Sequence, residues 1–123
     1  MSEQKQIPNE IVKIHSVDQF NELVNDYKES LITIDFWAEW CGPCKAFGPV
    51  FEQLRCEYES KAVIFAKLNV DELGIVAQQF NVTGIPTTLF VYNKKLVHRQ
   101  VGMSNKRSFA QTLDSVIAKV AEK

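Results

Sequence analysis

The stretch that most constrains this chain is Leu31 to Trp37, a compact apolar run of seven residues rich in β-branched and aromatic side chains. Such a run reads as a strand covered on both faces, which needs a layer of helices on each side of a sheet. The segments around it supply those layers. Ile11-Val12-Lys13-Ile14 is a short strand candidate. Ser16 with Gln19 three residues later forms a capping box, and Val17, Phe20, Leu23, Val24 and Tyr27 then fall on one helical face. Cys44 to about Ser60 has a helical stripe at Phe47, Val50, Phe51, Leu54 and Tyr58. Ala62 to Leu68 is a third strand, and Asp71 is positioned to cap a short helix ending near Phe80. Thr87–Tyr92 and Lys95–Val101 are strands joined by a tight turn at Asn93-Lys94. Ser104 is the expected cap of a last helix whose Phe109, Leu113, Val116, Ile117 and Val120 face inward. Helices and strands alternate and then close with a hairpin, which predicts an α/β sandwich around a mainly parallel sheet with an antiparallel edge.

The chain has 123 residues, 46% of them hydrophobic and 24% charged, the proportions of a single globular domain. No repeat or linker separates a second domain, so residues 11–123 read as one unit behind a loose extension, residues 1–10. A formal charge of −1 gives nucleic acid nothing to bind on bulk electrostatics. No run approaches the roughly 18 apolar residues of a membrane span. The polar N-terminus lacks the apolar segment of a secretory signal, so a cytoplasmic protein is expected. In that compartment a close cysteine pair is more often catalytic or metal-binding than structural.

Chemistry concentrates in Trp40-Cys41-Gly42-Pro43-Cys44-Lys45, directly after the buried strand. Two cysteines three residues apart at a helix start are close enough for their sulfurs to bond. Cys41 stands at or before the first helical residue, where free backbone N–H groups and the helix dipole stabilise a thiolate. Cys44 lies about one turn in and is expected to be more covered. Pro43 suits a first turn that needs no N–H, and Gly42 keeps the approach to Cys41 open. The asymmetry implies that Cys41 attacks a disulfide and Cys44 resolves the mixed disulfide. The alternative is half of a zinc site, but a structural zinc takes four ligands and the other candidates, Cys56, His15 and His98, are isolated. A structural disulfide is the third reading.

The run Ile34 to Lys45 resembles the active-site segment of thioredoxins. Pro49, Lys67-Leu68-Asn69-Val70-Asp71, Gly84-Ile85-Pro86-Thr87 and Val101-Gly102 follow in that family's order, over roughly residues 11–121. The resemblance implies a thioredoxin fold, a mixed five-stranded sheet flanked by four helices in three α/β/α layers. It implies a protein disulfide reductase with no bound cofactor and no metal. Electrons would arrive from a thioredoxin reductase, a flavoprotein using NADPH, and leave to disulfide-containing proteins. The residues between the cysteines, Gly42-Pro43, resemble reductases. An oxidase or isomerase remains the alternative within redox chemistry, and a binding module with incidental cysteines the alternative outside it.

Around the pair, Asp35 is a lone carboxylate in the buried run, where desolvation would raise its pKa. The resemblance implies that it helps deprotonate Cys44. Lys67 either faces Asp35 across the sheet, as the family pattern implies, or reaches water from the strand end. The resemblance implies a cis Ile85–Pro86 bond against the cysteines, and the backbone there could pair with an extended peptide. Trp40 is expected to be exposed, forming an apolar docking rim with Gly84, Ile85 and Gly102, whereas Trp37 reads as core. Cys56 lies about 18 Å along the helix from Cys44 and on the opposite face from its apolar stripe. It is expected to be a partly exposed thiol, inert or regulatory. A monomer is expected, with Cys56 as the sulfur that would link two copies on oxidation.

Overall fold

A computed structural model of the chain describes residues 6–122. Five strands and four helices follow one another as β1 (Val12–Ile14), α1 (Val17–Asp26), β2 (Leu31–Trp37), α2 (Gly42–Glu57), β3 (Val63–Asn69), α3 (Gly74–Gln79), β4 (Thr87–Tyr92), β5 (Lys95–Val101) and α4 (Lys106–Ala121). A single 3-10 turn, Glu59–Lys61, separates α2 from β3. The sheet order is β1-β3-β2-β4-β5. β3 runs parallel to both β1 and β2, while β4 is antiparallel to β2 and to β5. Antiparallel pairing therefore extends inward as far as β2, and the sheet is evenly mixed rather than mainly parallel. The hairpin alone did not carry that information: the α3 connection returns β4 with reversed direction beside the central strand.

β2 is central, and its alternating side chains build both cores. Ile32, Ile34 and Phe36 join Ile64, Leu68 and Leu89 under α1 and α3, which contribute Phe20, Leu23, Val76 and Ala77. Leu31, Phe65 and Phe90 join Phe47, Phe51 and Leu54 of α2 and Phe109 and Leu113 of α4. Edge-to-face contacts among Phe51, Phe65, Phe47 and Phe109 at 5.1 Å centroid spacings fill that second core. Strand periodicity thus puts Thr33, Asp35 and Trp37 on the α2 side of the sheet.

The ends of the elements correct several expectations. Ser16 caps α1 by accepting from the Gln19 N–H, but the Gln19 side chain returns to the N–H of His15, one residue before the cap. Val17 is exposed rather than packed. α2 starts at Gly42 rather than Cys44, with Pro43 in its first turn as expected. Leu73, not Asp71, precedes α3. Asn105, not Ser104, caps α4 through the Ser108 N–H, since its side chain stands the three residues ahead that this bond needs. Residues 1–5 of the expected extension lie outside the described residues. Its later part is held: Ile7 packs on the first core and the Gln6 carbonyl accepts from the Tyr27 hydroxyl.

Candidate active site

β2 delivers the chain to the top of the sheet, and Ala38 to Trp40 turn it into α2. Cys41 is the N-cap of that helix, and its Sγ accepts from the Cys44 N–H at 3.2 Å. This satisfies one of the donors that a helix start leaves without an intrahelical partner. Cys41 and Cys44 are joined as a disulfide with Cα atoms 5.3 Å apart. The expected difference in cover is absent: Cys41 is 4% exposed and Cys44 3%. Ala38 is buried in one cluster with the two cysteines, and Ile85, Val70 and Trp37 pack against it. What separates the two sulfurs is electrostatic position, because Cys41 alone occupies the cap.

The bond between Ile85 and Pro86 is cis, and the Ile85 carbonyl oxygen lies 3.8 Å from Cys41 Sγ. Thr87 donates its hydroxyl to the Gly84 carbonyl. Gly102, at φ +88°, donates its N–H to the Pro86 carbonyl at 2.8 Å. That backbone conformation suits glycine and is strained for other residues. No atom lies near the place where a side chain on Gly42 or Gly84 would begin, so both approaches are open.

Trp40 is 70% exposed, and its ring N–H donates to the Asp71 carboxylate at 2.9 Å. Asp71 is thereby a positioning residue that the sequence presented only as a helix cap. Its own N–H is held by the Asn69 side chain. Val101 and Met103 extend the exposed apolar surface beside Gly102.

Asp35 is fully buried, and neither carboxylate oxygen has a hydrogen-bond partner. Desolvation pushes its pKa from 3.8 up to about 7, against the opposing pull of the Lys67 charge. Lys67 is its register partner on β3, as the family pattern implied. Even so, the Lys67 ammonium leaves the carboxylate unpaired and lies 4.6 Å above the Trp37 ring. Trp37, expected as core, is only half-buried, and it serves as a platform for that ammonium. An aromatic at the end of the buried run, two residues from Asp35 and on the same face, was the available signal.

An open groove of about 630 Å³ runs along α2 and is lined by Cys44, Lys45, Glu52, Cys56, Trp37 and Lys67 among others. Cys56 lies far down the same groove as an exposed free thiol, accepting from the Arg55 guanidinium at 3.2 Å. The two histidines stand apart from the dithiol: His15 pairs with Glu72 and His98 lies against Phe90. Among the described residues no three His, Cys, Asp or Glu side chains gather to hold a metal ion.

A buried cysteine pair joined as a disulfide at a helix cap, a cis-proline segment against its first sulfur and an unpaired carboxylate on the adjoining strand define a thiol–disulfide oxidoreductase. The family model for thioredoxin matches residues 11–115. Thioredoxin 2 of Chlorobaculum tepidum is 47% identical over 96 residues, 78% of this chain and 85% of that protein. The thioredoxin of Staphylococcus aureus is 40% identical over 104 residues, 85% of this chain and 95% of that one. The X-ray structure of Fasciola hepatica thioredoxin superimposes with a TM-score of 0.79 at 33% identity, covering 85% of this chain and 98% of that chain. The chain belongs to the thioredoxin family, and its activity is thiol–disulfide reduction.

Proposed function

We propose that the chain is a general protein disulfide reductase in which Cys41 is the nucleophile and Cys44 the resolving thiol. In the reduced protein the Cys41 thiolate at the helix cap attacks one sulfur of a substrate disulfide. A Cys41–substrate disulfide forms, and the second substrate sulfur leaves as a thiolate. Asp35 accepts the proton of the Cys44 thiol, and the resulting thiolate attacks Cys41 Sγ. The mixed disulfide breaks, the remaining substrate sulfur leaves reduced, and two electrons have passed from the dithiol to the substrate. The observation that supports this assignment is the Cys44 N–H bond to Cys41 Sγ, because a thiolate formed there on reduction would be stabilised by the donors of the helix start.

The segment Gly84–Pro86 and the exposed Trp40 ring supply a backbone edge and an apolar surface for an extended peptide. Reduction of the Cys41–Cys44 disulfide by a flavin-containing, NADPH-dependent thioredoxin reductase completes the cycle, with the chain acting as a monomer in the cytoplasm. The family membership supports the reductase and the disulfide-bearing substrates as partners. Cys41→Ser is expected to abolish insulin reduction, while Cys44→Ser accumulates mixed disulfides with substrate proteins on non-reducing gels. Undiminished insulin reduction by Cys41→Ser refutes the assignment.

A further inference from the structure

We propose that Arg99 is a positioning residue for peptide docking, acting through the segment that carries Ile85 and Pro86. Arg99 lies on β5 opposite Leu89, and thus on the α1/α3 side of the sheet. Its guanidinium donates to the Phe80 carbonyl at 2.6 Å and to the Asn81 carbonyl at 3.5 Å. These are carbonyls at the C-terminal end of α3, where a helix leaves acceptors without partners. The carbonyls just before them are already used: Val76, Ala77 and Gln78 accept from Phe80, Val82 and Asn81. Asn81 reverses the chain at φ +56°, so the guanidinium grips the helix end at the point where the docking segment leaves it. A planar guanidinium can hold two adjacent carbonyls at once, which a single ammonium cannot do with the same geometry.

The far end of that segment is fixed by the residue just past the same strand. Three residues beyond Arg99, Gly102 donates its N–H to the Pro86 carbonyl. β5 and the residue that follows it therefore hold residues 80–86 at both ends. Between the two clamps lie Val82, tied to α3 by its N–H to the Ala77 carbonyl, then Thr83, Gly84 and Ile85, the last with its carbonyl 3.8 Å from Cys41 Sγ. Among the described residues Arg99 makes no ion pair, so its charge is directed at this helix end and at no carboxylate. Loss of the Arg99 clamp would leave the Gly102 anchor and the dithiol intact. It would loosen the first half of the segment, leaving the Val82 N–H bond to the Ala77 carbonyl as its tie to α3. A protein substrate, which needs the backbone edge in register, would bind less well. A small disulfide that needs only the Cys41 sulfur would react as before.

The inference rests on Gly84–Pro86 being the peptide-docking segment, and the experiment separates the two. Arg99→Met keeps the aliphatic stem and removes both donors. Its KM for insulin is expected to rise about three- to tenfold, a part of what charge-assisted hydrogen bonds are worth, at little-changed kcat. Its rate with 5,5′-dithiobis(2-nitrobenzoate) and the potential of the Cys41–Cys44 pair are expected to match wild type. Arg99→Lys, with one compact donor group, is expected to recover part of the loss. Ile85→Ala is measured alongside as a direct perturbation of docking. A rise in KM for Ile85→Ala with none for Arg99→Met overturns the role of Arg99. A rise for Arg99→Met with none for Ile85→Ala overturns the route through the docking segment, and no rise for either overturns both. Equal losses with insulin and the small disulfide would show a general disturbance of the site and overturn the positioning role.

Discussion

Replacing Asp35 by Asn tests the central electrostatic statement about this site, that a carboxylate is held without a partner in the core. The native pKa is pushed up to about 7, against 3.8 for an unperturbed group. Below pH 3.8 both the native and the unfolded chain carry the proton, and the site exacts no ionisation penalty. As pH rises from 3.8 towards 7 the unfolded chain loses its proton while the native state keeps it, so stability falls. Above 7 both are ionised and the full penalty is in place, about 4 kcal/mol from the difference between the two pKa values. Asn removes the charge at nearly constant shape. Its amide remains unpartnered and costs about 1–3 kcal/mol, but by the same amount at every pH.

The readout is therefore the change with pH rather than the stability at one pH. Urea unfolding of the two proteins between about pH 5 and about pH 8.5 should show Asp35→Asn gaining about 3 kcal/mol relative to wild type, with most of the gain below about pH 7.5. Asp35→Ala should show the same slope from a different starting value. The substitution should also slow insulin reduction by at least about tenfold near pH 7, because the acceptor for the Cys44 proton is gone. That loss should shrink as pH rises and the thiol ionises unaided. Parallel stability profiles for wild type and Asp35→Asn would refute the claim that burial sets the Asp35 pKa. Unchanged turnover with divergent profiles would confine the carboxylate to a stability effect.

Two further outcomes follow from features away from the dithiol. Asn93 and Lys94 both have positive φ, +53° and +66°, in a turn where glycine is favoured second, so Lys94→Gly is expected to stabilise by about 0.5–1 kcal/mol in urea unfolding. No gain would mean that the Lys94 side chain contributes interactions equal to the strain of its backbone. Peroxide treatment is expected to give a disulfide-linked dimer of the wild type and none of Cys56→Ser, because Cys56 is the exposed free thiol among the described residues. Equal amounts of dimer on non-reducing gels would remove Cys56 from the linkage.

Much of the framework was legible because it depends on local pattern. Leu31–Trp37, Thr87–Tyr92 and Lys95–Val101 have the same bounds in the sequence reading and in the structure. Apolar runs and turn residues mark strands of that kind without reference to the rest of the molecule. Helix ends were less legible where two neighbouring residues could both serve as caps. Ser104 and Asn105 are each competent, and only the bond to the Ser108 N–H distinguishes them. Asp71 had the right residue type for a cap, yet its carboxylate is taken by the Trp40 ring N–H across a sequence separation of 31 residues.

The site itself divides along the same line. The Cys41–Cys44 spacing and the helix start are local, and they were read directly. Asp35 was suspicious for a local reason as well, since a carboxylate in a doubly covered strand must be desolvated. What it faces depends on register, which one strand does not specify. The parallel pairing of β2 with β3 sets Asp35 beside Lys67 and Trp37 beside Asn69. The Lys67 ammonium then lies over the Trp37 ring instead of neutralising the carboxylate. A close ion pair would have drawn the Asp35 pKa down through its Coulomb attraction and tied its oxygens. Holding the lysine on the indole keeps its field weak enough for burial to dominate, so a proton acceptor poised near neutral pH depends on an aromatic residue that local pattern identifies only as core.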